Sequence, residues 1–289
     1  MNIHVVDGTY ELFRHYYGVP SRLDASGEEV GALVGVLNSI VSMLRQGTTH
    51  LGVATDHVVE SFRNEMYPGY KTGEGIDPRL FRQFHPLEDA LRMLGVVVWA
   101  MVDQEADDAL AAAAARAHAD PAVERVFICT PDKDLAQCVR GDAVVQLDRR
   151  TRTIRNEAGV REKFGVGPES IPDYLALVGD SSDGFPGVPQ WGAKSAAGIL
   201  ARYQHLEAIP KDPRQWDVAI RGAGNLASSL QKHWQDALLF RDLATLRTDA
   251  DVFGSVDELR WRGPAAGFAP LCIHLGAPDL AEAVARLRV

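Results

Sequence analysis

Cysteine is scarce in this sequence of 289 residues, and long apolar runs are absent. The three cysteines, Cys129, Cys138 and Cys272, form no CxxC pair, which argues against a zinc site or a disulfide framework and fits a reducing cytoplasm. No apolar run reaches the length of a membrane span. The chain also begins with a strand-like segment at residues 3–6 rather than with a basic and then apolar leader. We therefore expect a cytoplasmic protein that makes no membrane contact.

Positive charge is also in short supply, with 30 Lys and Arg against 39 Asp and Glu and a net charge of −9. Phosphate binding usually leaves a basic footprint, so this balance argues at first against a nucleic-acid ligand. That argument fails if the excess acids converge on metal ions, and their positions along the chain therefore decide the question. The content of 46% apolar and 24% charged residues is otherwise ordinary for a globular protein.

Strand-like and helical segments alternate in the first part of the chain. Short apolar runs that suit buried strands occupy residues 3–6, 50–54, 96–99 and 126–129. Helical spacing or alanine-rich composition marks residues 30–45, 78–94 and 106–119. This alternation predicts an α/β fold with a mostly parallel sheet, whose ligand site lies beyond the carboxyl ends of its strands.

Acidic residues follow each of the four strand-like runs. In chain order they are Asp7, Asp56, the block Glu105-Ala106-Asp107-Asp108, and the pair Asp132 and Asp134. A single aspartate in such a place is most simply a helix cap, worth roughly 0.3–1 kcal/mol. Many carboxylates at one sheet edge, however, repel one another unless cations neutralise them. Oxygen ligands suit Mg²⁺ or Mn²⁺, and two such ions about 4 Å apart suit phosphodiester hydrolysis.

Spacing within the acidic blocks supports the metal interpretation. Asp132 and Asp134 stand two apart, which in an extended segment points both side chains the same way. Glu105 and Asp108 stand three apart, on one face of a predicted helix, and Asp180 and Asp183 repeat that spacing later.

Helical segments with glycine and proline punctuation take over from about residue 168, with helices predicted over residues 168–178, 193–203 and 225–246. The turn Pro186-Gly187-Val188-Pro189-Gln190-Trp191-Gly192 lies between the first two of these and has the pattern of a hairpin. Such a turn can present backbone N–H groups and a helix N-terminus to a phosphate, with Lys194 adding charge. A plain proline-glycine loop with a surface lysine is the simpler alternative, and the nearby Asp180 and Asp183 favour the phosphate interpretation.

Aromatic and basic residues mark the loop between the second and third strands. Phe62-Arg63 and the segment 67–73, with Tyr70 and Lys71, have the composition to stack on a base and hold a scissile phosphate. An exposed loop explains the same spacing equally well.

Three other polar residues near the acids can be assigned from their positions. Arg14 lies a helical turn or two past Asp7 and is the basic residue best placed for a further substrate contact. His57 and His85 are expected to be non-ligands, because hard cations rarely need imidazole.

Together these motifs resemble the 5′-3′ exonuclease and flap endonuclease family, which includes the N-terminal nuclease domain of bacterial DNA polymerase I. The matching blocks are Val5-Val6-Asp7-Gly8, Glu105-Ala106-Asp107-Asp108, Thr130-Pro131-Asp132-Lys133-Asp134-Leu135, Gly179-Asp180-Ser181-Ser182-Asp183, Pro186-Gly187-Val188-Pro189, Gly192-Ala193-Lys194-Ser195 and residues 240–249. They run from residue 1 to about 250, and the ordered set is far more specific than any one block. No polymerase domain follows them, as in the stand-alone members.

The resemblance implies a PIN-like α/β core, a helix-three-turn-helix module and two divalent ions, Mg²⁺ or Mn²⁺, in one active site. By position, the first ion would be held by Asp7, Asp56, Glu105 and Asp107, and the second by Asp132, Asp134 and Asp183. Asp108 and Asp180 would act directly or through water. The residues expected to matter most for catalysis are Lys71, Asp107 and Asp134.

The resemblance also implies ligands at the hairpin. A K⁺ ion would be held by main-chain carbonyls of Leu177, Val178, Pro186, Val188 and Trp191. DNA contacts are expected from Arg14, Tyr70, Lys71, Gln190, Trp191, Gly192, Ala193, Lys194 and Ser195.

The sequence departs from the family pattern at several positions. Thr55 replaces the usual Phe before Asp56, and Pro131 replaces a glycine. Gln190 stands where a hairpin glycine is common, which affects the geometry of the phosphate and K⁺ contacts. The usual basic residue after Lys71 is missing, so we expect a weaker grip on DNA there.

We predict a structure-specific 5′ nuclease that leaves a 5′-phosphate and a 3′-hydroxyl. It would act as a monomer on DNA with 5′ ends or flaps, with a DNA polymerase in trans as its candidate partner. The predicted domains are residues 1–167, with a helical arch near residues 60–85, and residues 168–289. Two alternatives stay open: a catalytically weak DNA-junction-binding protein of the same fold, and a magnesium-dependent phosphohydrolase of small phosphate esters, suggested by Asp7-Gly8-Thr9.

Overall fold

The computed structural model of the protein describes residues 1–287. The strands are β1 (Asn2–Asp7), β2 (His50–Asp56), β3 (Val97–Met101), β4 (Arg125–Cys129), β5 (Val144–Asp148) and β6 (Thr153–Arg155). The α-helices are α1 (Gly8–Gly18), α2 (Gly31–Arg45), α3 (Phe62–Met66), α4 (Pro78–Phe81), α5 (Phe84–Met93), α6 (Ala106–His118), α7 (Glu157–Phe164), α8 (Ile171–Val178), α9 (Ala193–Tyr203), α10 (Ala223–Lys232), α11 (Trp234–Ala244), α12 (Phe268–His274) and α13 (Pro278–Ala285). Short 3-10 turns occupy Asp134–Cys138, Pro168–Ser170, Leu206–Ala208, Pro213–Gln215 and Val256–Leu259. Within this part of the chain, no helix has both the length and the apolar character that crossing a membrane requires.

Contacts divide the chain into two compact units that do not follow a single cut along the sequence. The first unit contains Met1–Val59, Gly73–Thr130 and the residues from Thr248 onward. The second contains Glu60–Thr72 and Pro131–Arg247. The predicted domain boundary after residue 167 falls inside the second unit, and that domain division stays a prediction.

Four parallel strands form the sheet of the first unit, in the order β3-β2-β1-β4. Successive residues of β1, Val5 and Val6, are both fully buried, as expected for a strand covered on both faces. The order places β2 and β3 on one side of β1 and β4 on the other, so the topological switch point lies between β1 and β4. The predicted α/β class is confirmed, and each of the four predicted strands lies within two residues of its expected bounds.

Two helices predicted as continuous are interrupted. Residues 78–94 form α4 and α5 with a break at Arg82 and Gln83, because Pro86 has no N–H to offer the carbonyl four residues earlier. The Gln83 side chain is buried at this break, where its Oε1 atom accepts the Leu33 N–H at 3.0 Å. Residues 225–246 are likewise divided into α10 and α11 at His233, which has non-helical backbone angles.

The second unit is mainly helical. The antiparallel pair β5 and β6 precedes α7, and helices α8 to α11 pack around an apolar core that includes Phe185, Ile199 and Phe240. Helix α9 has the bounds predicted for it, and the predicted helix over residues 168–178 begins as a 3-10 turn before α8. This unit therefore builds its core from helices, in contrast to the sheet of the first.

Candidate active site

Predicted metal ligands of the first unit lie at the carboxyl-end edge of its sheet. Asp7 is the last residue of β1 and Asp56 the last of β2, while Glu105 caps the N-terminus of α6, which follows β3. Asp107 and Asp108 lie in the first turn of α6. The parallel topology thus brings acids from separate parts of the chain to one edge, as the sequence predicted.

Asp7 is held at the switch point of the sheet. Its Oδ1 atom accepts the Tyr10 N–H at 2.8 Å, which caps α1, and its Oδ2 atom accepts the Thr130 hydroxyl at 3.0 Å. Thr130 directly follows β4, so the carboxylate is tied to the strands on both sides of the switch point. The helix-cap and metal-ligand interpretations are compatible here, because each carboxylate oxygen has a further lone pair.

The other acids of this edge are held mainly by backbone N–H groups. Asp56 accepts the Ala106 N–H at 2.8 Å through Oδ1, and its own N–H donates to Thr9 Oγ1 at 2.9 Å. Asp108 is fully buried, and its Oδ2 atom accepts the Glu105 N–H at 3.0 Å. Asp108 therefore caps α6 and orients Glu105.

The second unit contains a tight cluster of three buried acids. Asp134, Asp180 and Asp183 each offer an oxygen, and these oxygens lie within 4.8 Å of one another. Among residues 1–287, no other group of three or more His, Cys, Asp or Glu side chains is this close. Asp180 and Asp183 lie in a turn closed by two backbone bonds between Asp180 and Phe185, at 2.8 and 3.0 Å. The predicted Asp180 and Asp183 pair is thus brought to Asp134.

Asp134 is the most strained acid of the cluster. Its Oδ1 atom is buried without a hydrogen-bond partner. Burial, followed by the charges of Asp132, Asp183 and Asp180, raises the pKa of Asp134 well above its usual range. A divalent cation would relieve both the repulsion and the missing contact, and carboxylate oxygens are the ligands that hard cations prefer. The residues present therefore fit a divalent metal ion.

Two lysines neutralise part of this acidic charge. Lys133 Nζ lies 2.7 Å from Asp180 Oδ1, and Lys71 Nζ lies 3.0 Å from Asp183 Oδ1. Burial lowers the pKa of Lys133, but the hydrogen bond and charge of Asp180 and the charges of the other acids outweigh it and raise that pKa. Lys133 was not predicted as a site residue, although its position between two predicted ligands is a signal that could have identified it.

The expectation that Asp132 and Asp134 point the same way from an extended segment is wrong. Asp132 Oδ1 accepts the Asp134 N–H at 2.9 Å, and Asp134 begins a 3-10 turn. Asp132 is exposed while Asp134 is buried, because this local side-chain bond turns the chain between them. The spacing of two residues does not distinguish a turn from a strand.

Lys71 belongs to a segment that is bonded to the acidic turn. The Lys71 N–H donates to the Asp183 carbonyl at 2.9 Å. Gly184, with φ of +90°, lies so close to the chain that a Cβ atom there would be 2.2 Å from the Gly69 carbonyl oxygen. Tyr70 is 4% exposed and packs in the apolar core of the second unit, so its ring is not available for base stacking in this conformation.

Arg63 does not form the exposed basic contact that the sequence suggested. Its side chain is 1% exposed, with Nε donating to the Leu243 carbonyl at 2.8 Å and Nη2 to the Thr245 carbonyl at 3.2 Å. These carbonyls lie at the C-terminus of α11, where a cation is favoured by the helix dipole. Arg63 therefore stabilises α11, and that part of the substrate-contact interpretation is wrong.

Arg14 is partly exposed and is held by its own helix. Its Nη2 atom lies 2.6 Å from Glu11 Oε2, and its Nε atom is buried without a hydrogen-bond partner. Glu11 is buried and also accepts the Ser39 hydroxyl at 2.9 Å. The guanidinium is thus oriented by a buried carboxylate.

The predicted hairpin presents its polar end to solvent. Gln190, Gly192 and Lys194 are exposed, and Gly192 caps α9, with its N–H donating to Ser195 Oγ at 3.1 Å. Trp191 is buried, and its indole N–H donates to the Leu226 carbonyl at 3.2 Å. Any DNA contact from Trp191 would therefore use its main chain.

Backbone geometry of the hairpin bears on the K⁺ prediction. Gln190 has φ of +73°, the conformation that glycine adopts most easily. The Leu177 carbonyl accepts the Val188 N–H at 3.0 Å, and the Val188 carbonyl accepts the Trp191 N–H at 3.2 Å. A K⁺ ion would share these two oxygens with hydrogen bonds of the hairpin.

The acidic edge of a parallel α/β sheet, the buried acid cluster and the helical hairpin define a metal-dependent nuclease. Family models for the 5′-3′ exonuclease N-terminal resolvase-like domain and for the 5′-3′ exonuclease C-terminal SAM fold match residues 2–165 and 166–266. The chain belongs to the 5′-3′ exonuclease family, and the predicted family and enzyme class are confirmed.

Individual relatives agree with this assignment. DNA polymerase I of Pseudomonas aeruginosa is 36% identical over 266 residues, which are 88% of this chain and 28% of the polymerase. This chain therefore spans less than a third of that relative. A 5′-3′ exonuclease of Buchnera aphidicola subsp. Baizongia pistaciae is 31% identical over 91% of this chain and 87% of its own length. The fold is similar to that of the bacteriophage T5 flap endonuclease, solved in a pseudo-enzyme–product complex with DNA and metal ions (TM-score 0.63, 18% identity, 99% of this chain and 100% of that one).

Proposed function

We propose that the protein is a structure-specific 5′ nuclease that hydrolyses DNA phosphodiesters to a 5′-phosphate and a 3′-hydroxyl. The observation that carries this proposal is the buried cluster of Asp134, Asp180 and Asp183, with one oxygen unpartnered and the pKa of Asp134 raised. The similarity to an exonuclease along 87% of its length and to a nuclease bound to DNA and metal ions supports the same activity.

Two Mg²⁺ or Mn²⁺ ions are proposed as cofactors. Asp7, Asp56, Glu105 and Asp107 would hold one, and Asp132, Asp134 and Asp183 the other, with Asp108 and Asp180 acting directly or through water. Such ions, when bound, supply a deprotonated water and stabilise charge on the leaving oxygen. Lys71 would contribute a positive charge to the scissile phosphate from its place beside Asp183, and Lys133 keeps Asp180 neutralised.

The substrate proposed is DNA with a 5′ end or flap. The exposed backbone N–H groups of Gly192, Ala193 and Lys194 at the start of α9 suit a phosphate of the duplex backbone, and Gln190 and Ser195 border them. The proposal retains a K⁺ ion at the hairpin carbonyls and Arg14 as a substrate contact. It also retains a monomeric state, a cytoplasmic location and a DNA polymerase acting in trans.

A magnesium-titrated cleavage assay on labelled 5′-flap, nicked, blunt and single-stranded DNA tests the proposal. We expect the wild type to release the flap with a 5′-phosphate. The variants Asp107→Ala and Asp134→Asn should lose cleavage while they retain DNA binding. Glu282→Gln, which alters an exposed acid of α13, is the matched control and should remain active.

Other outcomes would identify the alternatives. Flap binding without cleavage at any magnesium concentration would indicate the junction-binding protein. Hydrolysis of a chromogenic phosphate ester without DNA cleavage would indicate the small-molecule phosphohydrolase. Full activity of the Asp107 or Asp134 variant would refute the assignment of these acids.

A further inference from the structure

A buried carboxylate outside every predicted ligand set lies next to the acidic edge of the first unit. Glu88, on α5, is 1% exposed. Its Oε1 atom accepts the Thr55 hydroxyl at 2.8 Å, and its Oε2 atom lies 2.8 Å from His57 Nδ1. Thr55 and His57 are the two neighbours of Asp56 in the chain. One side chain therefore bonds to the residues on both sides of a predicted metal ligand.

Further contacts hold His57 in place. Its ring stacks on that of His85 with centroids 4.0 Å apart and planes inclined by 13°. His85 Nε2 lies 3.0 Å from the His57 carbonyl oxygen, and the His57 N–H donates to the Met101 carbonyl at 2.9 Å. The end of β2 is thus held by β3 on one side and by side chains of α5 on the other.

Stability alone does not account for a carboxylate in this place. Burying an ionised group costs free energy that a hydrogen-bonded or paired partner only partly returns, and an apolar side chain of similar volume is often as stable. Thr55 fits the same explanation, because the phenylalanine usual in the family at this position would lack the hydroxyl that bonds to Glu88.

We infer that Glu88 is a positioning residue for Asp56, and that it fixes Thr55 and His57 so that the Asp56 carboxylate keeps its orientation toward the first metal site. The inference rests on the proposed function, through the assignment of Asp56 as a metal ligand. Glu88 itself touches neither substrate nor metal in this scheme. It acts through hydrogen bonds to the two flanking residues.

The experiment measures Mn²⁺ binding to the full chain by calorimetry without DNA, together with the Mg²⁺ concentration that gives half-maximal flap cleavage. Glu88→Ala should weaken Mn²⁺ binding at one site by about tenfold or more, the usual effect of losing an outer hydrogen bond to a ligand. The half-maximal Mg²⁺ concentration should rise in parallel, with kcat at saturating Mg²⁺ within about threefold of wild type. A residue with only a structural role would lower the active fraction at all Mg²⁺ concentrations and leave the half-maximal value unchanged.

Two further variants separate geometry from charge and from folding. Glu88→Gln can accept from Thr55 and donate to neutral His57, so it should bind Mn²⁺ nearly as wild type does. Thr55→Val removes one hydroxyl and should weaken Mn²⁺ binding severalfold, which keeps the test available if Glu88→Ala does not fold. Asp89→Ala is the matched control, because this neighbouring acid on α5 is exposed and should have no effect.

The outcomes distinguish this inference from the proposed function. Wild-type Mn²⁺ affinity in Glu88→Ala, or in Thr55→Val if Glu88→Ala does not fold, overturns the inference if Asp56→Asn loses an ion. Equal weakening by Glu88→Gln and Glu88→Ala also overturns it, because the hydrogen-bond geometry would then not be the cause. If Asp56→Asn binds both ions with wild-type affinity, the ligand assignment of the proposed function fails instead.

Discussion

Replacement of Asp134 by Asn should change stability and catalysis in opposite directions. In the metal-free protein, the buried carboxylate of Asp134 faces the charges of three other acids, and its Oδ1 atom has no partner. An amide of nearly the same shape removes the repulsion. We therefore expect Asp134→Asn to be more stable than wild type in EDTA by about 1–3 kcal/mol, the usual cost of an unsatisfied buried polar group. For a chain of this size that is roughly 2–10 °C in Tm.

Divalent metal should reverse this order. A ligand that binds only the folded state at a concentration 100 times its Kd adds about 2.7 kcal/mol to the free energy of unfolding. The wild type should gain this stabilisation from Mg²⁺, and the Asn variant should lose much of it along with flap cleavage. Thermal unfolding in EDTA and in Mg²⁺, with cleavage measured on the same samples, checks both effects.

The pH dependence in EDTA gives a further check. Because the folded-state pKa of Asp134 is raised, its protonation favours folding. That contribution is present below the unfolded value of about 4 and is lost as the pH rises through the raised folded value. The advantage of Asp134→Asn should therefore be absent near pH 4 and appear at neutral pH. Asp132→Asn, at an exposed neighbouring acid, should give a smaller change, and a less stable Asp134→Asn at neutral pH would refute the reasoning.

Three other substitutions test the second unit. Gln190→Gly should raise the free energy of unfolding by about 0.5–1 kcal/mol in urea titrations because φ at residue 190 is +73°, whereas Gly187→Ala should lower it, since a Cβ atom there would lie 2.4 Å from a backbone nitrogen. Arg63→Met should lower the free energy of unfolding by about 3 kcal/mol, because the α11 carbonyls would lose a buried charged donor; a loss under about 1 kcal/mol would contradict the capping role. Lys194→Ala should weaken flap binding and reduce the slope of log K against log salt by about 1, with Lys232→Ala as the control that leaves the slope unchanged.

The sequence predicted those features that depend on local pattern. Strand positions followed from apolar runs, and a parallel sheet then brings the residues after its strands to one edge. This is why Asp7, Asp56 and Glu105 could be assigned to a common edge without coordinates. The glycine-like backbone at Gln190 followed in the same way, from a side chain in a position where a turn needs positive φ.

Other features depend on contacts between distant parts of the chain. Arg63 is buried because its guanidinium meets carbonyls about 180 residues later, and Tyr70 is buried because the core of the second unit closes over it. Neither result is visible in a local run of aromatic and basic residues. The turn between Asp132 and Asp134 shows the complementary limit, since the same spacing fits an extended segment and a side-chain-closed turn.

The close approach of Gly184 to Gly69 has a consequence for how a DNA strand would enter. Because residues 69–71 are bonded to the acidic turn, Lys71 travels with Asp183 as one rigid piece. Any widening of the arch must therefore be taken up by the residues after Lys71, and the lysine need not be recruited by closure of a lid. A side chain at position 184 would separate the two segments and carry the amino group away from the acids.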